Sequence, residues 1–312
     1  MMYTSEIQKT VSIKPFLKWA GGKTQLLPVL DCYLPVSVAN GSDFTYIEPF
    51  VGGGAMLFHV LRKYKNIKKA IVNDVNERLI VTYKVIKEAP YELIEKLNRL
   101  NDNYIKIKDV DGRKEFYLEI RERFNKSGNR SVEDAGYMIF LNRTCFNGLY
   151  RENSKGHFNV PFGKYPNPLI CDADTILSDS EMLQKVDLKC GDYSEIIEFA
   201  DKHSIVYIDP PYRPLDATSS FNSYVKGHFD DAEQLRLKCF VDELDGNGCK
   251  VLLSNSDCRS RNPEDLFFDN LYKDYIIERV LARRSINAVP SKRGKLTELL
   301  IRNYQQYQGV IL

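Results

Sequence analysis

Four short runs rich in β-branched residues end in an acid or a turn: Phe44–Glu48, Ala70–Asp74, Ser204–Asp209 and Lys250–Ser256. Between the first two, Met56, Leu57, Val60, Leu61 and Tyr64 recur at the spacing of one helical stripe. Strand, helix, strand, with both strands reading as continuous apolar runs, predicts a parallel sheet covered on both faces. From about Leu79 to Tyr137 the pattern changes to charge-rich helical segments such as YELIEKLNRLN and GRKEFYLEIRERFN. From Asn142 to Pro168 it becomes loop-like, with Asn, Gly and Pro among aromatics, and the sheet is expected to resume near Val186. The reading is an α/β sheet with an inserted, mostly helical block: 1–80 and 170–312 form the catalytic part, and 81–169 is the insertion.

Composition narrows the class. Of 312 residues, 43% are hydrophobic and 28% charged, enough for a buried core and too apolar for wholesale disorder. The longest stretch without formal charge, Pro49 to Leu61, is far short of the roughly 20 apolar residues of a membrane span. The N-terminus has no apolar signal region. Seven scattered cysteines without a C-x-x-C pair are expected to be reduced thiols. None of the four histidines begins an H-x-E or H-E-x-x-H spacing, so no metal site is expected. A cytoplasmic protein is the expectation. Net charge is only +2, but Arg283, Arg284, Lys292, Arg293 and Lys295 lie within thirteen residues that contain no acid.

Three motifs carry chemistry. In Tyr46–Gly54 a strand runs into glycines that open a helix, which lets a nucleotide-like ligand approach the backbone; Pro49, Gly52 and Gly54 belong to this loop. Asp74, at the end of the next strand, is placed to grip ribose hydroxyls. The loop is not G-x-G-x-x-G, and a single glycine cluster suits S-adenosylmethionine better than a dinucleotide. A plain tight turn would use the same glycines.

In the second motif, Phe16–Thr24, Gly22-Lys23-Thr24 mimics the end of a phosphate-binding loop. Leu17 stands where such a loop needs glycine, so that reading fails. Lys23 remains as a cation near a helix start, suited to a carboxylate such as that of methionine, or simply to solvent.

The third motif is Asp209-Pro210-Pro211-Tyr212 after an apolar strand. Two prolines cannot extend a central strand. An adenine amine is a poor nucleophile, because its lone pair is delocalised into the ring. The Asp209 carboxylate and the Pro210 carbonyl can accept both amine hydrogens and stabilise the positive charge that develops on methyl transfer. Tyr212 offers a stacking face worth roughly 1–3 kcal/mol. A turn with an exposed Tyr is the plainer alternative.

With these motifs in place the chain resembles the Dam-type DNA adenine-N6 methyltransferases, enzymes that use S-adenosylmethionine and commonly target GATC. The resemblance runs from Lys14 to Tyr304 through FLKWAGGK, EPFVGGGA, the IVND acid, NRTCFNGLYRENSKGHFNVPFGKY and DPPY, in the family's alpha order. It implies a Rossmann-like methyltransferase sheet and a target-recognition insertion with a β-hairpin. Trp19 and Lys23 would lie at the methionine end of the cofactor, Asp74 at the ribose, and Asp192 and Tyr193 near the cofactor adenine, with Tyr193 replacing the commoner Phe. Asp209, Pro210 and Tyr212 would be catalytic, and Asp209 would also touch the cofactor. Lys18 would read the first guanine. Asn147, Leu149, Arg151 and Pro161 would contact bases from the hairpin, for Arg suits guanine and apolar groups suit a thymine methyl. Hairpin packing would equally explain Leu149 and Pro161. Arg293 and Lys295 would meet DNA phosphates. The implied partners are double-stranded DNA containing GATC and a paired restriction endonuclease, and the implied location is the nucleoid. Cytosine N4, an RNA adenine, or non-catalytic DNA binding are the alternatives.

Overall fold

Alternation along each strand divides two apolar faces, and this places the core on both sides of one sheet. The computed structural model describes residues 15–19, 21–128, 131–213, 229–282 and 296–306. Seven strands make the sheet: β1 (Phe44–Glu48), β2 (Ile67–Asp74), β3 (Val186–Cys190), β4 (Ser204–Ile208), β5 (Lys250–Ser256), β6 (Ile276–Ala282) and β7 (Leu296–Arg302). Their order is β3-β2-β1-β4-β5-β7-β6; the first five run parallel, and β7 lies antiparallel between β5 and β6. Tyr46, Val72, Tyr207, Leu252 and Leu300 pack to one face. Their neighbours Ile47, Ile71, Val206, Val251 and Leu299 pack to the other. This alternation of two apolar sets is why the strands read as continuous apolar runs.

The first face is covered by α3 (Ala55–Lys63) and α4 (Glu77–Glu88), after the short α1 (Leu27–Cys32) and α2 (Val36–Ala39). The same apolar cluster continues into α5 (Pro90–Lys106), α6 (Val110–Lys126), α7 (Val132–Thr144) and α8 (Ala173–Leu183). Helix α7 is apolar nearly all round and buried from Ala135 to Asn142, while α5 and α6 bury one stripe each. The second face is covered by α9 (Asp231–Gly246) and α10 (Phe267–Leu271). Among the described residues no helix is long and apolar enough to cross a membrane.

The α/β sheet with helices on both faces is as expected, and β1 and β5 have the expected bounds. Strand β2 begins earlier, at Ile67, and β4 stops at Ile208, leaving Asp209 just beyond the ladder. Helix α7 runs on to Thr144, past the expected loop start at Asn142. The Asn142 amide explains this: it is buried, accepts from the Lys18 backbone N–H at 2.9 Å, and donates to the carbonyls of Lys18 (2.8 Å) and Gly148 (2.9 Å). A polar residue read as a loop marker is here a tertiary clamp.

Helix α8 holds an unusual group. Asp179 is fully buried, and among the described residues neither carboxylate oxygen has a hydrogen-bond partner. Burial, reinforced by Asp172, pushes its pKa up to about 8. The folded state therefore holds this proton through a range in which the unfolded chain has released it. Its stability contribution is complete below pH 3.8 and is lost as pH rises to about 8, by at most about 1.4 kcal/mol per pH unit. Asp179→Asn should unfold much like the parent at about pH 3.5 and at a higher temperature than the parent at about pH 8. Calorimetry at the two pH values checks this; an unchanged difference between them would remove the argument.

Candidate active site

The sheet changes direction of growth at β1, which has β2 on one side and β4 on the other. Ligands of open α/β sheets bind at such a point, outside the carboxyl ends of the strands. Both the glycine loop after β1 and Asp209 after β4 lie there.

Val51 ties the glycine loop to β2, its N–H donating to the Asn73 carbonyl at 2.9 Å. Gly52 and Gly54 have φ of +49° and +75°, left-handed values that suit glycine, and Gly54 caps α3. The Gly52 N–H donates to Asp74 Oδ2 at 3.0 Å, and the Asn76 N–H to Asp74 Oδ1 at 2.9 Å. Burial raises the Asp74 pKa despite these two bonds. Asn73 donates to the carbonyls of Pro49 (3.2 Å) and Gly191 (3.1 Å), drawing the loops after β1 and β3 together. Trp19 lies against the glycines: a Cβ on Gly53 would fall 2.8 Å from its own Cβ. The indole stacks on Tyr150, with centroids 5.3 Å apart.

Beyond β3, Asp192 forms a two-pronged pair with Arg236 of α9. This pair, helped by Ser194, holds the carboxyl down at about 2. Tyr193 packs its ring 5.0 Å from Phe50 and 6.3 Å from Phe229. Its buried hydroxyl has no hydrogen-bond partner among the described residues.

Asp209 accepts from Ser254 Oγ at 2.8 Å and pairs with Lys23 Nζ at 3.1 Å. Burial raises its pKa, against the opposing pull of Lys23 and Ser254. Pro210 is buried beside it. Lys23 is only 6% exposed and stands 4.2 Å from the centroid of the Tyr212 ring. The Tyr212 hydroxyl donates to Glu298 Oε2 at 2.9 Å, and that oxygen lies 3.5 Å from Lys23 Nζ. Lys23 thus meets carboxylates of the protein itself, within the DPPY niche.

The hairpin candidates gather around Lys18. Antiparallel bridges join Cys145 to Phe162 and Glu152 to Phe158. Gly148, at φ +64°, lets the Lys18 methylenes close on the backbone, and Lys18 Nζ stands 5.7 Å from the Tyr165 ring centroid. Asn147 is exposed at φ +56°, its N–H donating to Tyr165 Oη at 3.1 Å. Leu149 packs partly on the core. Arg151 is oriented along the hairpin by Asn159, its Nε donating to Oδ1 at 2.7 Å. Pro161 is exposed, and its carbonyl accepts from the Phe146 N–H at 2.8 Å. Arg293 and Lys295, with the rest of the basic run from Arg283, lie outside the described residues.

Sequence reasoning missed Phe50, Phe229, Arg236, Ser254 and Glu298. An acid inside the apolar run Leu296–Arg302 was the available signal for Glu298.

Comparison with known proteins gives the family of the chain. Residues 19–286 match the family described as D12 class N6 adenine-specific DNA methyltransferase. The chain belongs to this family. Relatives agree along nearly the whole length. A type II methyltransferase, M.MjaIII, of Methanocaldococcus jannaschii is 48% identical over 94% of this chain and 100% of its own. Type II methyltransferase M1.LlaDCHI of Lactococcus lactis subsp. cremoris is 39% identical, covering 94% of this chain and 96% of its own. A DNA adenine methylase of Vibrio cholerae is 32% identical over 92% and 95%. The protein is therefore a DNA methyltransferase of the N6-adenine class.

Proposed function

We propose that the protein methylates adenine N6 in GATC within double-stranded DNA, with S-adenosylmethionine as donor and the target base flipped from the duplex. The observation that carries this reading is the niche in which Asp209 and the Tyr212 ring enclose a nitrogen bearing N–H donors, at present the Lys23 ammonium.

The residues at the strand ends suit the donor. The side-chain-free loop at Gly52–Gly54, the Asp74 carboxylate and the aromatic group of Phe50, Tyr193 and Phe229 match a nucleoside. Trp19, packed against the glycines, would stand at its methionine end, while Lys23 is engaged by Asp209 and Glu298 in the neighbouring niche. S-adenosylmethionine supplies a methyl group already activated on a sulfonium centre. Asp209 and the Pro210 carbonyl accept the two amine hydrogens and offset the charge that grows on nitrogen. Holding both reactants in one niche lowers the barrier further. Flipping costs a few kcal/mol, and stacking on Tyr212 offsets about 1–3 kcal/mol of it.

Residues 81–169 serve as the target-reading part, and 1–80 with 170–312 as the catalytic part. Asn142 joins the two parts, because it fixes Lys18 of the catalytic part to the start of the hairpin that carries Asn147, Leu149, Arg151 and Pro161. Arg293 and Lys295 would add phosphate contacts and salt dependence rather than specificity. The type II names of two relatives support a role beside a restriction endonuclease.

Unmethylated plasmid incubated with the protein and S-adenosylmethionine should become resistant to a nuclease that cuts only unmethylated GATC. It should become sensitive to one that cuts only the methylated site. Unchanged sensitivity to both would remove the GATC assignment.

A further inference from the structure

Glu298 is contributed by β7, the strand inserted antiparallel beside β5, where it faces Ser256 in the register. An acid there is 6% exposed, in a strand whose neighbours Leu299, Leu300 and Ile301 are buried apolar residues. Such a carboxylate is stable only if it is paired. Its partners are two residues of the DPPY niche: the Tyr212 hydroxyl at 2.9 Å and the Lys23 ammonium at 3.5 Å.

The niche shows what this arrangement does. The Lys23 ammonium donates toward Asp209 Oδ1 and to the Gly21 carbonyl (3.3 Å) while lying over the Tyr212 ring. It therefore holds the seat that the reading above gives to the target amine: N–H donors on Asp209, aromatic face alongside. A base can enter only when the ammonium gives up Asp209. A second carboxylate 3.5 Å away keeps the displaced cation paired. The same carboxylate fixes the far end of the Tyr212 ring, so the stacking face keeps its angle when Lys23 leaves.

We propose that Glu298 is a positioning residue for methyl transfer, anchoring Tyr212 and receiving Lys23 so that Asp209 and the tyrosine face are open to the base. This rests on the assignment of Asp209 and Tyr212 above. Glu298 acts through those residues and does not itself meet the amine.

The test is single-turnover methylation of plasmid DNA from a host without adenine methylation, using radiolabelled S-adenosylmethionine. Such DNA presents every candidate sequence, so the result does not depend on GATC. Glu298→Ala should slow methyl transfer about 10- to 100-fold. Glu298→Gln keeps an acceptor for the Tyr212 hydroxyl and should come within about fivefold of the parent. Tyr212→Phe keeps the stacking face but removes the hydroxyl, and adding Glu298→Ala to it should slow the reaction by clearly less than Glu298→Ala slows the parent, the remainder being the lost seat for Lys23. A loss from general loosening would show neither the rescue by Gln nor this coupling. If Glu298→Ala fails to fold, the Gln and Phe variants and their combination still measure the link. Parent-like turnover in Glu298→Ala, with Asp209→Ala inactive, would overturn the proposal. Independent effects of the Glu298 and Tyr212 changes would overturn it too. Full turnover in Asp209→Ala would instead remove the catalytic assignment beneath it.

Discussion

Asp209→Ala should abolish methyl transfer while leaving DNA binding in place. The carboxylate sits one residue beyond β4, set by Ser254 Oγ at 2.8 Å, so its direction is fixed before any amine arrives. Preorganised groups aimed at developing charge are worth most in sites from which water is excluded, and losing one typically costs about 10²–10³-fold. The loss here should be at least of that order, because the aspartate brings full charge as well as direction. DNA binding is expected to persist, since Lys18 and the hairpin are held by Asn142 and make no use of Asp209. Gel-shift titration and product assay on the same preparation check both halves. Retained turnover would count decisively against the mechanism.

A pH profile tests the same group with no substitution. Burial raises the Asp209 pKa above the ordinary carboxylate value, with Lys23 pulling the other way. The acceptor is useful only when ionised, so activity should fall on the acid side through a pKa above the ordinary 3.8.

How much of this was legible in the sequence follows from what sequence patterns report. Continuous apolar runs report burial on two faces, and β1 and β5 were located by them to the residue. The glycine loop and DPPY were legible as local chemistry, because each is one strand and the turn that ends it. Strands β6 and β7 carry charges at Glu278, Arg279, Glu298 and Arg302, which interrupt the apolar pattern. Arg302 and Glu278 pair across the two strands at 3.0 Å, a partnership made only by the antiparallel ladder. The cluster of Lys23, Asp209, Ser254 and Glu298 joins four segments far apart in the chain. Nothing in the spacing of these residues encodes their meeting; sheet order does. Lys23 shows the same limit. Its position near a helix start pointed to a ligand carboxylate, and the topology supplies two from the protein.

Asp74 gives the sharpest case of one atom deciding an outcome. Both carboxylate oxygens already accept backbone N–H bonds, from Gly52 at 3.0 Å and Asn76 at 2.9 Å. The group therefore shapes the glycine loop as well as facing the proposed ribose site. Asp74→Asn preserves volume and removes the charge, but an amide has only one acceptor oxygen. Whichever way it turns, its NH₂ confronts one of the two backbone donors. One charge-assisted bond is lost and a buried N–H is left unpaired, a penalty of about 1.5–3 kcal/mol. If that strain falls on the loop, affinity for S-adenosylmethionine should weaken about 10- to 100-fold. Asp74→Ala removes both bonds yet sets no donor against a donor, so the isosteric change should come close to the truncation in its effect. Calorimetric titration of S-adenosylmethionine into both variants measures this. Parent-like affinity in Asp74→Asn would show that the loop holds its shape without the carboxylate and would detach Asp74 from the cofactor site.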